Sequence, residues 1–591
     1  MNLGKQYLKL LVLSVIVGVV SGLGALLFYY GLHIVTAVMV KGLCGLEIPS
    51  PKGEVSPFEF KLRLTTTPLI RILVPCLGGL ISGLLVYSFA PEAEGHGTDA
   101  VIDAFHRLAG RIRRRVPVIK TLASIITIGS GGSAGREGPI AQIGAGFASV
   151  LSEVLGLGRR EREILLICGA SAGVGSIFKA PFGGSIFGIE VLYMMDYEVE
   201  ALLPAVISTF TAYGIFCSVT GWTPIFIASM YSYLPGELPL FLLLGLITGL
   251  LSTLYVESFY KMREVFKSLK VPMHVKPAIG GLLLGILSLK LPHVLGSSYG
   301  WVQLSLEEKL TAGLMIAIMF GKILATDFTI GSGGSGGVFA PSLVIGCMAG
   351  GVFGTLVKMV FPNLVTNIAV FSVVGMGSFF AAAGKVPIAS IIMVAEMSGE
   401  YKLLMPAFLA ATISYYISGK WSIYESQLTN KLESPVHLGE VISAVTGKRT
   451  VLRDKMSKML KAMKIGEIMT KDVICVQPDV KLSKLYTLIF ESGHHGFPVV
   501  KDGRLIGMVT LDDLRKTDRK KWEKLSVGDV MCKRLYTVYP SDTIIDALRL
   551  MYRERIGRLL VVDEENPRKL VGIVTKKDIL RAYNTALLLA I

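Results

Sequence analysis

A charged pair lies inside a glycine-rich run whose surroundings are apolar. Residues 129–139 read GSGGSAGREGP, which places Arg136 and Glu137 between glycines, and the apolar stretch IAQIGAGFASVL follows. Charged side chains within apolar segments are costly and are usually functional. Because a buried carboxyl group can be protonated, Glu137 can act as a movable gate and as a proton acceptor. The alternative interpretation is an ion pair between Arg136 and Glu137, or between this pair and a loop.

A second glycine run, GSGGSGGVFAP at residues 331–341, matches the first. In both runs a proline, Pro139 or Pro341, comes ten residues after the first glycine. The segments 179–190 (KAPFGGSIFGIE) and 385–396 (KVPIASIIMVAE) also match, with the glutamate nine positions after the proline in each. These matches predict two related halves, often of inverted topology, whose broken helices meet near the middle of the membrane.

Each glycine run leads into an apolar segment that can be helical. Glycine permits sharp turns and lets an ion approach the backbone. The N-terminus of a helix presents free N–H groups and a partial positive charge, which together suit an anion. Two such termini facing each other would hold an anion without a full positive charge, so that it could leave again quickly.

The composition is that of a membrane protein with several spans. Of the 591 residues, 52% are hydrophobic, and the mean hydropathy is +0.58. No Asp, Glu, Lys or Arg occurs in four long segments, residues 10–40, 72–90, 201–236 and 359–384. A spanning helix needs about 20 apolar residues. The chain is therefore expected to be embedded in a lipid bilayer.

The net charge of +16 is concentrated in basic segments such as residues 110–115 and 448–464. Basic loops are retained on the cytoplasmic side of a membrane, so we expect no nucleic-acid partner. The seven cysteines show no paired metal-ligand spacing, and we predict no metal site. Enzymatic activity is not expected either.

The C-terminal part differs from the rest. After residue 430 the charge rises, and 465–479 (IGEIMTKDVICVQPD) resembles 527–541 (VGDVMCKRLYTVYPS). GMVTLDDL likewise resembles GIVTKKDI, which indicates tandem soluble α/β modules. The predicted domains are a transmembrane anion-pathway domain at 1–430, a basic cytoplasmic linker at 431–464, and modules at 465–520 and 526–585.

The motifs together resemble those of a known family. GHGTDA (95–100), GREGP (135–139), GVFAP (337–341) and SIYESQL (422–428) match, in order and spacing, the CLC family of chloride channels and proton/chloride exchangers. The C-terminal repeat resembles a pair of CBS domains. This resemblance implies an all-α polytopic membrane domain of two inverted repeats with broken helices, followed by a soluble α/β CBS pair. It also implies a homodimer, with a pathway for chloride or similar small inorganic anions in each subunit.

The resemblance also implies roles for particular residues. By motif position, Glu137 resembles the gating glutamate of the family. The backbone N–H groups of Val338 and Phe339 and the hydroxyl of Tyr424 resemble ligands of a central anion. Arg136 and Gly138 flank the gate and resemble the outer part of the pathway. For Tyr424 the alternative is an interfacial aromatic side chain.

Residues 95–100 depart from the family pattern. His96 stands where many members have serine, or proline in nitrate-preferring members. An imidazole can donate an N–H to an anion, more strongly when protonated; alternatively, it bonds a nearby carbonyl and does not touch the ion. Thr98 and Asp99 replace an aliphatic–proline pair. Asp99 suits a first helical turn, but its charge would oppose a nearby anion.

A second departure concerns protons. Exchangers of the family usually carry an internal glutamate directly after the residue that matches Glu190, and Val191 occupies that position. Valine cannot carry a proton, and Asp196 or Glu198 would need another route. We therefore expect a glutamate-gated, voltage- or pH-sensitive chloride channel regulated by its CBS domains, with a proton/chloride antiporter as the alternative. A metal-ion transporter would need more membrane carboxylates, and a nucleotide sensor without transport would leave the glycine runs unexplained.

Each CBS module contains the pattern Gly-x-x-Thr-x-x-Asp, with Thr510 and Asp513 in the first and Thr575 and Asp578 in the second. In CBS pairs that bind nucleotides the aspartate binds ribose hydroxyls and the threonine faces phosphate. The pattern thus predicts a site for an adenine nucleotide (ATP, ADP or AMP). The alternative is that both side chains only cap the following helix.

The first apolar segment, residues 10–40, is too long for the core of a signal peptide, so we expect it to be retained as a span. Without a recognisable targeting peptide, a prokaryotic plasma (inner) membrane is the expected location. The N-terminus and the CBS domains are predicted to be cytoplasmic.

Overall fold

The computed structural model describes residues 3–54, 67–227, 233–365, 367–434, 436–437, 463–492, 494, 496–515, 517, 522–554, 556–576, 578–579 and 581–582. The chain divides into two compact units, Met1–Lys431 and Leu432–Ile591. The first unit is helical, whereas the second combines short helices with β-strands. Most of the predicted basic linker, residues 438–462, and the predicted module end at 583–585 lie outside the described residues.

The first unit contains two successive sets of helices. The first set is α1 (Leu3–Thr36), α2 (Pro68–Phe89), α3 (Thr98–His106), α4 (Val116–Gly129), α5 (Glu137–Val154), α6 (Arg159–Ile177), α7 (Pro181–Glu190) and α8 (Leu202–Thr220). The second set is α9 (Leu238–Ser268), α10 (Lys276–Lys290), α11 (Tyr299–Leu306), α12 (Ala312–Thr329), α13 (Phe339–Val360), α14 (Ile368–Ala383), α15 (Pro387–Ser398) and α16 (Leu404–Ile417). Matching 3-10 turns precede α3 and α11, at Pro91–Ala93 and Pro292–Val294. The predicted internal repeat is therefore present in the order of the elements.

Reciprocal contacts relate the two halves. The carboxylate of Glu190, at the end of α7, accepts hydrogen bonds from the N–H groups of Ile388 (3.1 Å) and Ala389 (2.7 Å) at the start of α15. The carboxylate of Glu396, in α15, accepts from the N–H groups at the start of α7, those of Phe182 (3.1 Å) and Gly183 (2.8 Å). Each glutamate satisfies helix N–H groups that would otherwise lack partners. This exchange is what a two-fold relation between the halves produces.

Glycine lets the long helices approach closely. A Cβ atom built on Gly144 of α5 would lie 2.1 Å from the carbonyl oxygen of Gly169 of α6. The equivalent pair in the second half, Gly346 of α13 and Gly375 of α14, is as tight, at 2.4 Å. Small residues at helix interfaces are typical of membrane proteins, where packing takes the place of a hydrophobic driving force.

Among the described residues, six helices are long and apolar enough to cross a membrane: Tyr7–Leu43, Pro68–Phe89, Val199–Thr220, Pro235–Ser268, Ala312–Thr329 and Phe339–Val360. Four helices are far too short to span, since a span needs about 20 residues. Helices α3 and α11 have 9 and 8 residues, and α7 and α15 have 10 and 12. The prediction of a polytopic domain with broken helices is confirmed.

The second unit contains α17 (Ile465–Ile468), α18 (Leu482–Ser492), β1 (Gly496–Lys501), β2 (Arg504–Thr510), α19 (Leu511–Arg515), α20 (Val527–Val530), β3 (Thr537–Val538), α21 (Ile544–Arg553), β4 (Arg558–Val562) and β5 (Leu570–Thr575). Strands β1 and β2 are antiparallel, with Phe497 opposite Val509. Strand β4 lies between β3, to which it is parallel, and β5, to which it is antiparallel. This α/β architecture is the one that the sequence predicts.

The two modules exchange their first helices. Ile465, in α17, is buried in one core with Val538, Leu548 and Leu559. Val527, in α20, belongs to the other core, with residues such as Val476, Leu485 and Phe497. Backbone hydrogen bonds follow the same crossing, between Thr470 and Ile573 and between Met508 and Cys532. The core of each module therefore includes the first helix of the other sequence repeat.

Candidate anion site

The two glycine runs bring two helix N-termini together. Helix α5 begins at Glu137 and α13 begins at Phe339. Just before these starts, Gly135 and Gly337 pair in antiparallel fashion, each N–H donating to the other's carbonyl at 2.8 Å. The N–H groups at both helix starts therefore lie near one point, as the matched motifs predict.

The carboxylate of Glu137 occupies this point. Its Oε1 accepts a hydrogen bond from the N–H of Phe339, whereas its Oε2 has no hydrogen-bond partner among the described residues. A Cβ atom on Gly337 would lie 2.0 Å from Oε1, and one on Gly135 would lie 2.0 Å from Oε2. Glycine is required at both positions because any side chain would displace the carboxylate.

His96 and Tyr424 lie beside each other. Their ring centroids are 5.5 Å apart with an interplanar angle of 60°. Both rings are buried, and neither the His96 Nδ1 nor the Tyr424 hydroxyl has a hydrogen-bond partner among the residues described. Buried polar atoms are normally satisfied, so these two atoms point to a ligand. The alternative placement of Tyr424 as an interfacial aromatic does not fit its exposure of 1%.

The loop that carries His96 is held tightly under α5. Gly97 has φ = 72°, in the left-handed region, and a Cβ atom there would lie 2.4 Å from the carbonyl oxygen of Gly138. The buried ammonium of Lys120, in α4, donates to the carbonyls of Ala93 (3.0 Å) and Gly95 (2.7 Å). These contacts fix the backbone of His96 against the helix that begins at Glu137.

Asp99 is a structural partner of the segment that carries Tyr424. Its Oδ1 accepts from the N–H of Ser426 (2.7 Å), and its Oδ2 accepts from the Ser426 hydroxyl (2.8 Å). A carboxylate with two donors of its own is partly compensated. The expected repulsion between Asp99 and a nearby anion is reduced accordingly, and Asp99 fixes the backbone next to Tyr424.

Arg136 pairs with a residue far away in the sequence. Its Nη2 lies 2.5 Å from Oε1 of Glu54, and both side chains are buried. The guanidinium also packs against the rings of Tyr29, Phe178 and Tyr299, at 5.9, 5.8 and 5.4 Å from their centroids. Of the two forms of the alternative interpretation, the structure contains the ion pair with a loop, between Arg136 and Glu54, and not a mutual pair between Arg136 and Glu137. A cavity of about 110 Å³ lies beside it.

The surroundings of Val191 contain carboxylates that are already engaged. Val191 is buried, and its carbonyl accepts from Nε2 of Gln427 at 3.0 Å. Glu198 accepts from the Tyr193 hydroxyl (3.0 Å) and pairs with Arg160 (2.6 Å). Asp196 accepts from the N–H groups of Tyr197 and Lys431, at 2.8 and 3.1 Å. Each of these carboxylates has a structural partner.

In the second unit the Thr and Asp residues of the CBS patterns form helix caps. Asp513 Oδ2 accepts from the N–H (2.9 Å) and hydroxyl (2.7 Å) of Thr510. Asp578 Oδ2 accepts in the same way from Thr575, at 2.9 and 2.6 Å. The helix caps of the alternative interpretation are therefore formed in both modules. A ligand would have to share these carboxylates with their caps.

Sequence reasoning did not identify Lys120 and Glu54 as part of the site. Lys120 had a detectable signal, since it lies nine residues before the first glycine run, and Lys322 lies nine residues before the second. Lys322 likewise donates to carbonyls, those of Val294 (3.0 Å) and Gly296 (2.6 Å). For Glu54, 82 residues from Arg136, no local pattern was available.

The fold and the site together define a class of protein. Two repeats embedded in a membrane bring two helix N-termini and a buried carboxylate to one point, an arrangement that suits an anion transport protein. The model of the voltage-gated chloride channel family matches residues 78–419, and the CBS domain model matches residues 465–520 and 527–585. The chain belongs to this family, the CLC family of chloride transport proteins.

Individual relatives agree with this assignment. The chain is 30% identical over 376 residues to a putative chloride channel protein ClcB-like of Ralstonia nicotianae, a match that covers 62% of this chain and 87% of the relative. It is 29% identical over 441 residues to the H(+)/Cl(-) exchange transporter ClcA of Vibrio vulnificus, covering 72% and 91%. Its fold is similar to that of a slow cyanobacterial Cl-/H+ antiporter, with a TM-score of 0.61 and 22% identity over 70% of this chain and 96% of the other.

Proposed function

We propose that this protein exchanges chloride for protons across its membrane. The observation that carries this proposal is the carboxylate of Glu137 on the N–H of Phe339, because that N–H belongs to a helix start suited to an anion. The relative ClcA is named an H(+)/Cl(-) exchange transporter, and the structural neighbour is an antiporter. Both favour exchange over the passive channel that Val191 suggests.

In this mechanism the carboxylate and the anion compete for one site. While Glu137 is ionised, its Oε1 holds the Phe339 N–H and blocks the pathway. Protonation removes the charge and weakens the hydrogen bond, since bonds to ionised groups are about twice as strong. An anion then takes the N–H group, and the protonated side chain swings away with its proton. Return of the carboxylate expels the anion, which couples the two movements.

The remaining site residues have supporting roles. The N–H groups of Val338 and Phe339, the Tyr424 hydroxyl and the imidazole of His96 would bind the anion at the centre, as the unpaired buried atoms of His96 and Tyr424 suggest. Gly138 allows the His96 carbonyl to approach, since a Cβ atom there would lie 1.6 Å from that oxygen. Arg136, neutralised by Glu54, would shape the outer cavity rather than act as a free positive charge.

A glutamate-gated channel is the second candidate. Val191 is buried and cannot carry a proton. Without an internal proton route, Glu137 would exchange protons with one side only, and its titration would gate a passive chloride flux.

The wider assembly is also part of the proposal. The protein would act as a homodimer with one pathway in each subunit, in a prokaryotic plasma membrane, with the N-terminus and CBS domains cytoplasmic. An adenine nucleotide bound to the CBS pair would regulate transport. The domains would be the pathway at 1–430, the linker at 431–464 and the CBS modules at 465–520 and 526–585.

Transport in liposomes tests the exchange. Purified protein is reconstituted with a chloride gradient, and internal pH is followed with a dye. Exchange predicts that chloride movement drives protons against their gradient, and that Glu137→Ala abolishes this proton movement while chloride flux continues and no longer responds to pH. Chloride flux with no uphill proton movement in the wild type would reject exchange and leave the channel.

A further inference from the structure

Three buried polar atoms of the candidate site have no hydrogen-bond partner among the described residues: His96 Nδ1, Glu137 Oε2 and the Tyr424 hydroxyl. Two of the three groups, imidazole and carboxyl, ordinarily change charge at or below neutral pH. Their exposures differ, since His96 is 8% exposed whereas Glu137 and Tyr424 are each 1% exposed. His96 is therefore the most exposed of the three residues.

Charged groups on four neighbouring segments face His96. They are Asp99 on α3, Lys120 on α4, Arg263 on α9, and Glu425 beside Tyr424. Lys120 is bound to backbone carbonyls, and Asp99 is held by donors of its own. Glu425 pairs with Arg263 at 2.7 Å but keeps 64% of its side chain exposed. Glu425 is therefore the group in this set that is open to solvent.

We infer that His96 is the internal proton carrier of the exchange, in place of an acidic side chain at position 191. The imidazolium gives its Nδ1 proton to the oxygen of the neighbouring Tyr424 hydroxyl, and that hydroxyl gives its own proton to the Glu137 carboxylate. This transfer leaves a neutral imidazole and a carboxylic acid, and the imidazole takes its next proton from the side of Glu425. The inference rests on the proposed exchange and names the residue that supplies its protons.

The position of His96 also couples the proton to the anion. An imidazolium beside the Tyr424 hydroxyl donates to an anion and attracts it electrostatically. Protonation of His96 therefore favours anion binding at the same point at which protonation of Glu137 frees the Phe339 N–H. Protonation of either residue therefore strengthens chloride binding, and chloride binding in turn favours the uptake of protons.

The first test uses His96→Asn, since an asparagine amide can donate an N–H from a similar place and does not titrate. A positioned side chain speeds proton transfer about 100-fold or more. In liposomes we therefore expect the ratio of proton flux to chloride flux to fall about 100-fold, because the asparagine amide keeps an N–H donor for the anion but cannot carry a proton. An unchanged ratio of proton to chloride flux in His96→Asn would overturn the inference.

Asp327→Asn provides the matched control. Asp327, on α12, is another buried carboxylate; its Oδ2 accepts from the Ser258 hydroxyl at 2.5 Å, and its Oδ1 has no partner within the described part of the chain. We expect Asp327→Asn to retain the wild-type flux ratio. If Asp327→Asn lost proton coupling while His96→Asn kept it, the proton route would run through α9 and α12 and the inference would fail.

A binding measurement separates His96 from the exchange itself. In the Glu137→Ala background, chloride binding is followed by calorimetry over a pH range that extends well below the ordinary imidazole pKa of about 6.5, because His96 is buried. Binding should strengthen as the pH falls, and addition of His96→Asn should remove this dependence. A pH dependence that survives in the double variant would overturn the role of His96. Wild-type transport without proton coupling would reject exchange, and this binding measurement would still decide whether His96 titrates with the anion.

Discussion

Removal of the Glu137 side chain should strengthen chloride binding. The carboxylate holds the Phe339 N–H with a charge-assisted hydrogen bond, and bonds of this kind contribute about 1.5–3 kcal/mol. An anion must displace the carboxylate to use that N–H. Glu137→Ala removes this competition, so chloride affinity should rise roughly 10- to 150-fold in alkaline buffer, where the wild-type carboxylate is ionised.

Isothermal titration calorimetry in detergent measures this change. Glu137→Gln should show a smaller gain than Glu137→Ala, because the amide oxygen still accepts from the Phe339 N–H but without charge. Glu153→Ala is the matched control, since Glu153 lies at the other end of α5, about 24 Å along the helix, and is exposed. Equal chloride affinity in wild type and Glu137→Ala would refute the competition.

Three further predictions test the supports of the site. Glu190→Gln and Glu396→Gln should each lower the free energy of unfolding by about 1–3 kcal/mol, because each carboxylate accepts hydrogen bonds from two helix N–H groups. A melting temperature that fell in only one of the two variants would contradict the two-fold relation. Asp99→Ala should loosen the segment beside Tyr424, because it removes two hydrogen bonds to Ser426, and should raise chloride leak from liposomes roughly tenfold. A chloride efflux rate equal to that of the wild type would show that Asp99 does not hold this segment in place. Ile465→Ala should speed hydrogen exchange of the backbone amides in β4 but not in β1, because α17 packs in the core that also contains Val538 and Leu559. Faster amide exchange in β1 alone would show that the two modules do not exchange their first helices.

Much of the fold followed from spacing. The matched glycine runs predicted that α5 and α13 would begin near each other, and the Gly135–Gly337 pairing realises this. The equal spacing of Glu190 and Glu396 after their prolines predicted two related halves, and their reciprocal hydrogen bonds agree with this. These features were predictable because a repeated motif under two-fold symmetry must meet its own copy.

Other features depend on contacts that no local pattern encodes. The pair between Arg136 and Glu54 joins residues 82 positions apart, and the bond between Asp99 and Ser426 joins residues 327 positions apart. The crossing of α17 into the core of the second module cannot be read from a sequence repeat, because both modules carry the same opening segment. Tertiary packing alone decides which copy each segment joins.

Anomalous scattering from bromide would test the competition between Glu137 and the anion most directly. Bromide can replace chloride, and its position can be located in crystals of wild type and Glu137→Ala. We predict a peak in Glu137→Ala at hydrogen-bond distance from the Phe339 nitrogen, where Oε1 of Glu137 lies in the wild type. A bromide bound elsewhere in Glu137→Ala, with the Phe339 N–H left without an anion, would contradict the account.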